Sequence, residues 1–152
     1  MITGEIKNKI DSIWDDFFSA GMSEYLTVIE QFSYLMFIHS LDEVENETEQ
    51  YEKFSGEKKE HIFPADKQNY RWHIFKTFEE TELFNLMDKE IFPFIKTING
   101  NEESAFARYM KDAAFSIPSP QTLKAVITKL DELFENPEVQ ARDMLGDIYE
   151  YV

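Results

Sequence analysis

The stretch that decides the fold is Ser23-Glu-Tyr-Leu-Thr-Val-Ile-Glu-Gln-Phe-Ser-Tyr-Leu-Met-Phe-Ile-His-Ser-Leu41. Its apolar residues recur every three or four positions, which is the spacing of one face of a helix. From Tyr34 to Ile38 the segment is apolar nearly all round, and a helix of this kind is usually buried. We therefore predict a central buried helix that starts at Ser23.

Two amphipathic segments lie on either side of this helix in the sequence. Thr3 can cap a first helix that Gly21 would end, and Ser119 followed by Pro120 is a strong start signal for a long helix near the other end. The apolar stripes of these two helices are Ile6, Ile10, Ile13, Trp14, Phe17 and Phe18 in the first, and Leu123, Val126, Ile127, Leu130, Leu133 and Phe134 in the second. Both stripes keep the helical spacing.

The middle of the chain gives weaker signals. A long polar connection is predicted over residues 49–66, followed by a short helix or turn over 69–78. Thr81 is predicted to cap another helix, which Pro93 must kink or end because proline has no backbone N–H. Asn99-Gly-Asn101 indicates a turn before a short amphipathic stretch over 103–111. With no alternating strand pattern, the sequence predicts an all-α fold, a compact bundle of about five to seven helices in one domain over residues 1–152.

Composition limits the class of protein. The 152 residues carry a net charge of -15, but 43% of them are hydrophobic and 14 are Phe, which is too apolar for a disordered acidic tail. The absence of cysteine excludes disulfides and thiolate metal sites. The N-terminus has no signal-peptide pattern, and the longest apolar run, residues 32–41, is short of the roughly 20 residues that span a bilayer. We expect a cytoplasmic protein.

The charge is unevenly distributed along the chain. An acidic run over residues 42–52 reads as a solvated helix end, and a more basic window follows it. Because the whole chain repels phosphate, any contact with DNA must be local. The candidate DNA-contact residues in the basic window are Lys58, Lys59, Lys67 and Arg71. The alternative is that Trp72 packs beneath a loop with Arg71 as its solvent-facing neighbour.

No group of residues in the sequence has the pattern of a catalytic, cofactor-binding or metal-binding site. The five glycines are too far apart for the turn that holds a nucleotide-type cofactor. Amino methyltransferases that act on DNA bases usually hold the target amine with an Asn/Asp-Pro-Pro-aromatic tetrapeptide. Asn136-Pro137 matches only the first two residues of this motif. His39 is predicted to be a hydrogen-bonded interior residue, and His61 and His73 are predicted to be exposed, without a carboxylate array that would serve a metal or a base.

Several segments together resemble a known family. They are the second helix opened by Ser23-Glu-Tyr25, Pro64 followed by Arg71-Trp72, the helix over 120–135, and the closing Gly146-Asp-Ile-Tyr-Glu-Tyr151. In this order they resemble the N-terminal domain of the methyltransferase subunit of type I restriction-modification systems. One departure is Ile62-Phe63-Pro64, where the family usually has Val-Pro.

The resemblance implies what the chain does and what it lacks. It implies that the parent protein methylates the exocyclic amine of adenine in DNA with S-adenosylmethionine, and that its catalytic domain follows residue 152. The fragment itself is then expected to hold no cofactor and to serve assembly of the complex and clamping on DNA. The implied partners are a specificity subunit, a second methyltransferase subunit, a motor-nuclease subunit and DNA.

The closing segment is the predicted partner surface. Asp143 can cap a helix there, and Tyr149 and Tyr151 suit an interface because each ring brings apolar area and a hydroxyl group. Trp72 is a further interface candidate. Two other functions stay open from the residues alone: a generic helical adaptor, and an acidic DNA mimic that inhibits a DNA-binding protein, although 15 interspersed basic residues weaken the mimic hypothesis.

Overall fold

The protein is all-α, and its computed structural model describes residues 4–98 and 112–136. The helices of these residues are α1 (Gly4–Ser19), α2 (Tyr25–Ser55), a 3₁₀ helix (Ala65–Tyr70), α3 (Trp72–Phe75), α4 (Glu80–Leu86), a π-helical turn (Met87–Ile91), α5 (Phe92–Thr97) and α6 (Pro120–Glu135). The described residues contain no strand. The prediction of an all-α helical bundle is therefore confirmed.

The chain reverses between α1 and α2 at a glycine. Gly21 has a φ of 92°, a conformation that favours residues without a Cβ, and the N–H of Met22 bonds to the carbonyl of Phe17. The predicted end of the first helix is confirmed, whereas its predicted cap, Thr3, lies outside the described residues. The second helix begins at Tyr25, with Glu24 as N-cap, two residues after the predicted start.

Helix α2 passes through the centre of the molecule and continues further than predicted. Every residue from Val28 to Met36 is buried except Glu30, as expected for a helix that is apolar nearly all round. The helix ends only at Ser55, where Gly56 takes a φ of 75° and donates its N–H to the carbonyl of Glu52. The prediction that residues 49–66 form one polar connection is thus wrong for 49–55, which are helical.

The short helices between α2 and α6 correct two details of the sequence reading. The N-cap of α4 is Glu79, whose carboxylate accepts hydrogen bonds from the N–H groups of Thr81 and Glu82, so Thr81 is not the cap. Pro93 does interrupt regular α-helix, since the π-helical turn Met87–Ile91 comes immediately before it and α5 starts at Phe92.

Helix α6 closes the core. Ser119 caps it by accepting the N–H of Thr122, with Pro120 at the first turn, as predicted. The helix packs against α1 and α4, and all the predicted stripe residues of α6 except Phe134 are fully buried. Gln31 of α2 bonds to the segment before α6. Its Nε2 donates to the carbonyl of Ala114, and its Oε1 accepts the N–H of Ser116. The predicted turn at 99–101, the stretch 103–111 and the closing helix lie outside the described residues.

Candidate functional site

The C-terminal half of α2 carries polar side chains that recur every three or four residues, so they lie along one side of the helix. These residues are Asp42, Glu45, Asn46, Glu49 and Glu52. The chain then returns along the same side and brings three basic side chains against the row. These are His61, Arg71 and His73. We call this contact between α2 and the returning segment the polar seam.

Arg71 is the most heavily bonded residue of the polar seam, and its side chain is only 3% exposed. Its Nε donates to Asp42 Oδ1 at 2.6 Å. Its Nη2 donates to Asn46 Oδ1 at 2.7 Å and to Glu49 Oε1 at 2.9 Å. A further bond runs from Nη1 to Gln68 Oε1 at 3.1 Å. Burial lowers the pKa of Arg71, but the bonds to Glu49 and Asp42 raise it by more. The pKa is therefore above its ordinary value, and the guanidinium stays charged.

Asp42 joins two basic residues of the returning segment. While Oδ1 accepts from Arg71, Oδ2 accepts the backbone N–H of His73 at 2.9 Å and lies 2.8 Å from His73 Nδ1. Burial raises the pKa of Asp42, but the bonds from His73 and Arg71 outweigh it and hold that pKa below its ordinary value. Asp42 is therefore a buried, ionised carboxylate.

Glu45 and Glu52 hold the loop that follows α2. The side chain of Glu45 is 1% exposed, and its carboxylate accepts the N–H groups of Phe63 at 2.8 Å and Ile62 at 3.3 Å. His61 bridges the two acids, with Nδ1 at 3.0 Å from Glu45 Oε1 and Nε2 at 2.7 Å from Glu52 Oε1. The bond to Glu45, supported by Glu52, raises the pKa of His61. The N–H of Lys59, which bonds to Glu52, lowers the pKa of that carboxylate.

Trp72 connects the polar seam to the core. The ring is 2% exposed, and its Nε1 donates to Asp131 Oδ1 of α6 at 2.9 Å. Lys76 Nζ reaches the other oxygen of Asp131 at 3.0 Å. His39 lies edge-on to Trp72 and stacks on Phe134 with ring centroids 3.9 Å apart. Burial lowers the pKa of His39 to about 4, so the ring is neutral at pH 7.

This arrangement is suited to holding the fold together. Its charged groups meet groups of opposite charge or backbone N–H groups inside the same chain, which is how buried ions are stabilised. Within residues 4–98 and 112–136, no three His, Asp or Glu side chains converge as a metal site would require. Gly21 and Gly56 lie at the ends of helices, and no strand precedes a helix in these two ranges.

The structure places two of the predicted site residues in the interior. Arg71 was expected to face solvent, and this expectation is wrong, because its guanidinium is buried against Asp42 and its neighbours. In this arrangement it is not accessible to a DNA phosphate. Trp72, an interface candidate, is a buried residue that packs on Phe75 and His39, as the packing alternative proposed.

The remaining candidates are on the surface or outside the described residues. Lys58 and Lys59 are exposed in the loop after α2, and Lys59 Nζ lies 4.1 Å from the centre of the Tyr51 ring. Lys67 is partly exposed in the 3₁₀ helix, with Nζ 5.4 Å from the centre of the Tyr70 ring. Tyr149 and Tyr151 lie outside the described residues.

The sequence reading missed the internal role of the acidic run. Residues 42–52 were interpreted as a solvated helix end, but Asp42 and Glu45 are buried and bonded. His61 and His73 are exposed, as predicted, and each also bonds to a carboxylate of the polar seam. His39 is half-buried, with Nδ1 2.9 Å from Glu43. The sequence does contain a signal for the polar seam, namely that the acids recur every three or four residues. This spacing puts them on one side of the helix, where a basic segment can pair with them.

Comparison with known proteins completes the description. The fold is an all-α domain, and the sequence pattern of the HsdM N-terminal domain matches residues 6–130. The chain therefore belongs to the HsdM N-terminal domain family, the N-terminal domain of the methyltransferase subunit of type I restriction-modification systems. No curated protein and no solved structure matches it. Among the described residues, no helix is both long enough and apolar enough to cross a membrane.

Proposed function

We propose that this domain is a non-catalytic assembly and DNA-clamping module of a type I DNA adenine methyltransferase. The observation that carries the proposal is the family match over residues 6–130, which covers most of α1, all of α2 with the polar seam, and α6 as far as residue 130. S-adenosylmethionine is bound, and the methyl group transferred, by other parts of the same subunit. Because the proposed substrate is DNA, we expect the complex to act in the cytoplasm.

The geometry supports an assembly role. The polar seam fixes the returning segment on α2 through Asp42, Glu45 and Arg71, which gives a body whose exposed surface is held in a defined shape. A defined surface lowers the entropy cost of binding a partner. The proposed partners are the specificity subunit, a second methyltransferase subunit and the motor-nuclease subunit of the same system.

Contact with DNA is proposed as a secondary and local role. The net charge of -15 opposes a broad DNA-binding face. Lys58, Lys59 and Lys67 are candidates for single phosphate contacts, which would position the duplex without reading its sequence. Arg71 is withdrawn from this set because its bonds are internal.

Two measurements test the proposal. Calorimetric titration of residues 1–152 with S-adenosylmethionine is expected to give no binding heat, and stoichiometric binding would contradict a non-catalytic role. In the second measurement, the complete subunit and one lacking this domain are mixed with purified specificity subunit and analysed by size-exclusion chromatography with light scattering. We expect the truncated subunit to give an incomplete complex, with circular dichroism showing that its remainder is folded. Equal assembly of both forms would refute the assembly role.

A further inference from the structure

The last turns of α2 and the loop after it project from the bundle. From residue 46 to residue 61 every side chain is exposed except Thr48 and Glu52, which are half-buried, and burial resumes only at Phe63. We call residues 46–61 the arm. It is held by polar contacts and has no core of its own. Some of these lie within the arm, such as Lys59 N–H to Glu52 and Tyr51 Oη to Glu57, and others belong to the polar seam, in which Asn46 and Glu49 accept from Arg71.

The arm carries an exposed apolar face. Val44, at its base, Tyr51 and Phe54 are all among the exposed large hydrophobic residues, and Phe54 is 98% exposed. At 3.6 residues per turn these three positions fall within an arc of about 80° on α2. An exposed apolar set at i, i+7 and i+10 is the pattern by which one helix packs against another. We call these three residues the docking face.

The charges around the docking face restrict what can cover it. Glu43 and Glu47 lie on the same side of α2, and Glu57 accepts the hydroxyl of Tyr51 at 3.2 Å. One ammonium group, that of Lys59, lies over the Tyr51 ring. The balance is acidic, as in the chain as a whole, so electrostatics disfavours both DNA and a second copy that carries the same net charge of -15.

We propose that the docking face binds an amphipathic helix with basic flanks, carried by a protein of the same complex that is not a second copy of this chain. This inference rests on the assembly role proposed above. Phe54 would be the central anchor, since truncating a large aromatic that becomes buried at an interface is among the costliest changes there. Basic side chains flanking the partner's apolar stripe would meet Glu43 and Glu47.

Cross-linking from position 54 identifies the occupant. The photoreactive residue p-benzoylphenylalanine replaces Phe54 in the complete methyltransferase subunit, which is assembled from purified subunits with a DNA duplex and irradiated. The matched control carries the same residue in place of Lys53, which lies about 100° around the helix from Phe54 and outside the docking-face arc. We expect position 54 to link to an apolar, Lys/Arg-flanked helix of such a protein. Linkage to DNA, to a second copy, to another segment of this chain, or to nothing would overturn the inference.

Affinity measurements separate this inference from the proposed function. Phe54→Ala and Glu47→Lys are each expected to weaken subunit association at least about tenfold. Lys53→Ala is expected to leave association unchanged, and thermal unfolding of Phe54→Ala should match the wild type because this side chain is 98% exposed. Circular dichroism checks that Glu47→Lys is folded before its association is compared. If the variants assemble normally while removal of the whole domain prevents assembly, the docking face is wrong and the proposed function stands. If neither change affects assembly, the proposed function fails as well.

Discussion

At the scale of single residues, Arg71 illustrates how the fold decides the role of a side chain. A guanidinium group recognises the paired oxygens of phosphates and of carboxylates by the same geometry. Because several lysines lie near Arg71 in the sequence, we predicted that it contacts DNA phosphates. In the structure it instead bonds to Asp42, Asn46 and Glu49 on α2. Lys58, in the same basic window of the sequence, remains exposed.

The first prediction follows from the burial of Arg71. Arg71→Ala leaves the carboxylate of Asp42 buried without its main cation, so we expect the free energy of unfolding to fall by about 3–5 kcal/mol. Lys58→Ala, an exposed lysine-to-alanine control, should change it by less than about 0.5 kcal/mol. Urea unfolding followed by circular dichroism measures both. An Arg71→Ala midpoint equal to that of the wild type would mean that the polar seam contributes nothing to stability.

His39 provides a second prediction, on acid stability. Burial lowers its folded pKa to about 4, below the ordinary value of 6.5, so the stability linked to the neutral ring is present above pH 6.5 and is lost as the pH falls towards 4. Between these two pH values the wild type should lose on the order of 3 kcal/mol more than His39→Gln, which cannot be protonated. Urea unfolding at a series of pH values checks this difference. Parallel pH profiles for the two proteins would contradict it.

At the scale of the elements, helix α2 continues where the sequence indicated a connection. Acidic residues near a helix C-terminus are unfavourable to the helix dipole, so the acidic run argued for an early end. The structure offsets this because Arg71, His61 and backbone N–H groups of the loop meet the acids from the side. Gly56, with its positive φ, is the actual stop.

The loop after α2 gives a third prediction, on the pH dependence of an element. The folded pKa of His61 is raised by Glu45 and Glu52, so its stabilising effect is fully present below pH 6.5 and disappears as the pH rises through the folded pKa. Glu52 also faces Lys58, and Lys59 donates its N–H to Glu52 at any of these pH values. At about pH 5.5, amide hydrogen exchange over residues 57–63 should be faster in His61→Gln than in the wild type.

The same comparison at high pH supplies the control for His61. As the pH rises through the folded pKa of His61 the imidazole becomes neutral, and the exchange rates of the two proteins, corrected for intrinsic exchange, should converge. The exchange of core amides in α6 should be alike in both proteins at either pH. A difference between the proteins that does not depend on pH would show that the ring acts through shape and not through its charge.

At the scale of the whole molecule, the sequence sufficed for the architecture but not for the site. The helices α1, α2 and α6 were predicted correctly because apolar periodicity reports local geometry directly, although Phe18, Tyr25 and Leu26 of the predicted stripes are exposed. The polar seam was not, because Asp42 and Arg71 are 29 residues apart in the chain, and their pairing depends on how the loop returns. Propensity and spacing contain no information on that path.

The distribution of charge over the whole molecule argues against the hypothesis of an acidic DNA mimic. Basic residues are tied into ion pairs across the bundle, including Lys9 with Glu132 and Lys129 with Asp16, both at 2.6 Å. A mixed surface of this kind does not imitate the continuous phosphate charge of a duplex. The family match instead favours a domain that acts as part of a larger DNA-modifying complex.

Whether this domain touches DNA inside that complex is decided by the salt dependence of binding. Each phosphate contact contributes about 0.9 to the slope of log affinity against log salt concentration, so Lys58→Ala/Lys67→Ala should reduce the slope of the assembled methyltransferase by up to about 2. Lys89→Ala, an exposed lysine of the π-helical turn, is the control and should leave it unchanged. Arg71→Ala should act on stability first, because the guanidinium is internal. If the double variant keeps the wild-type slope, the domain contributes to clamping only through its contacts with other subunits.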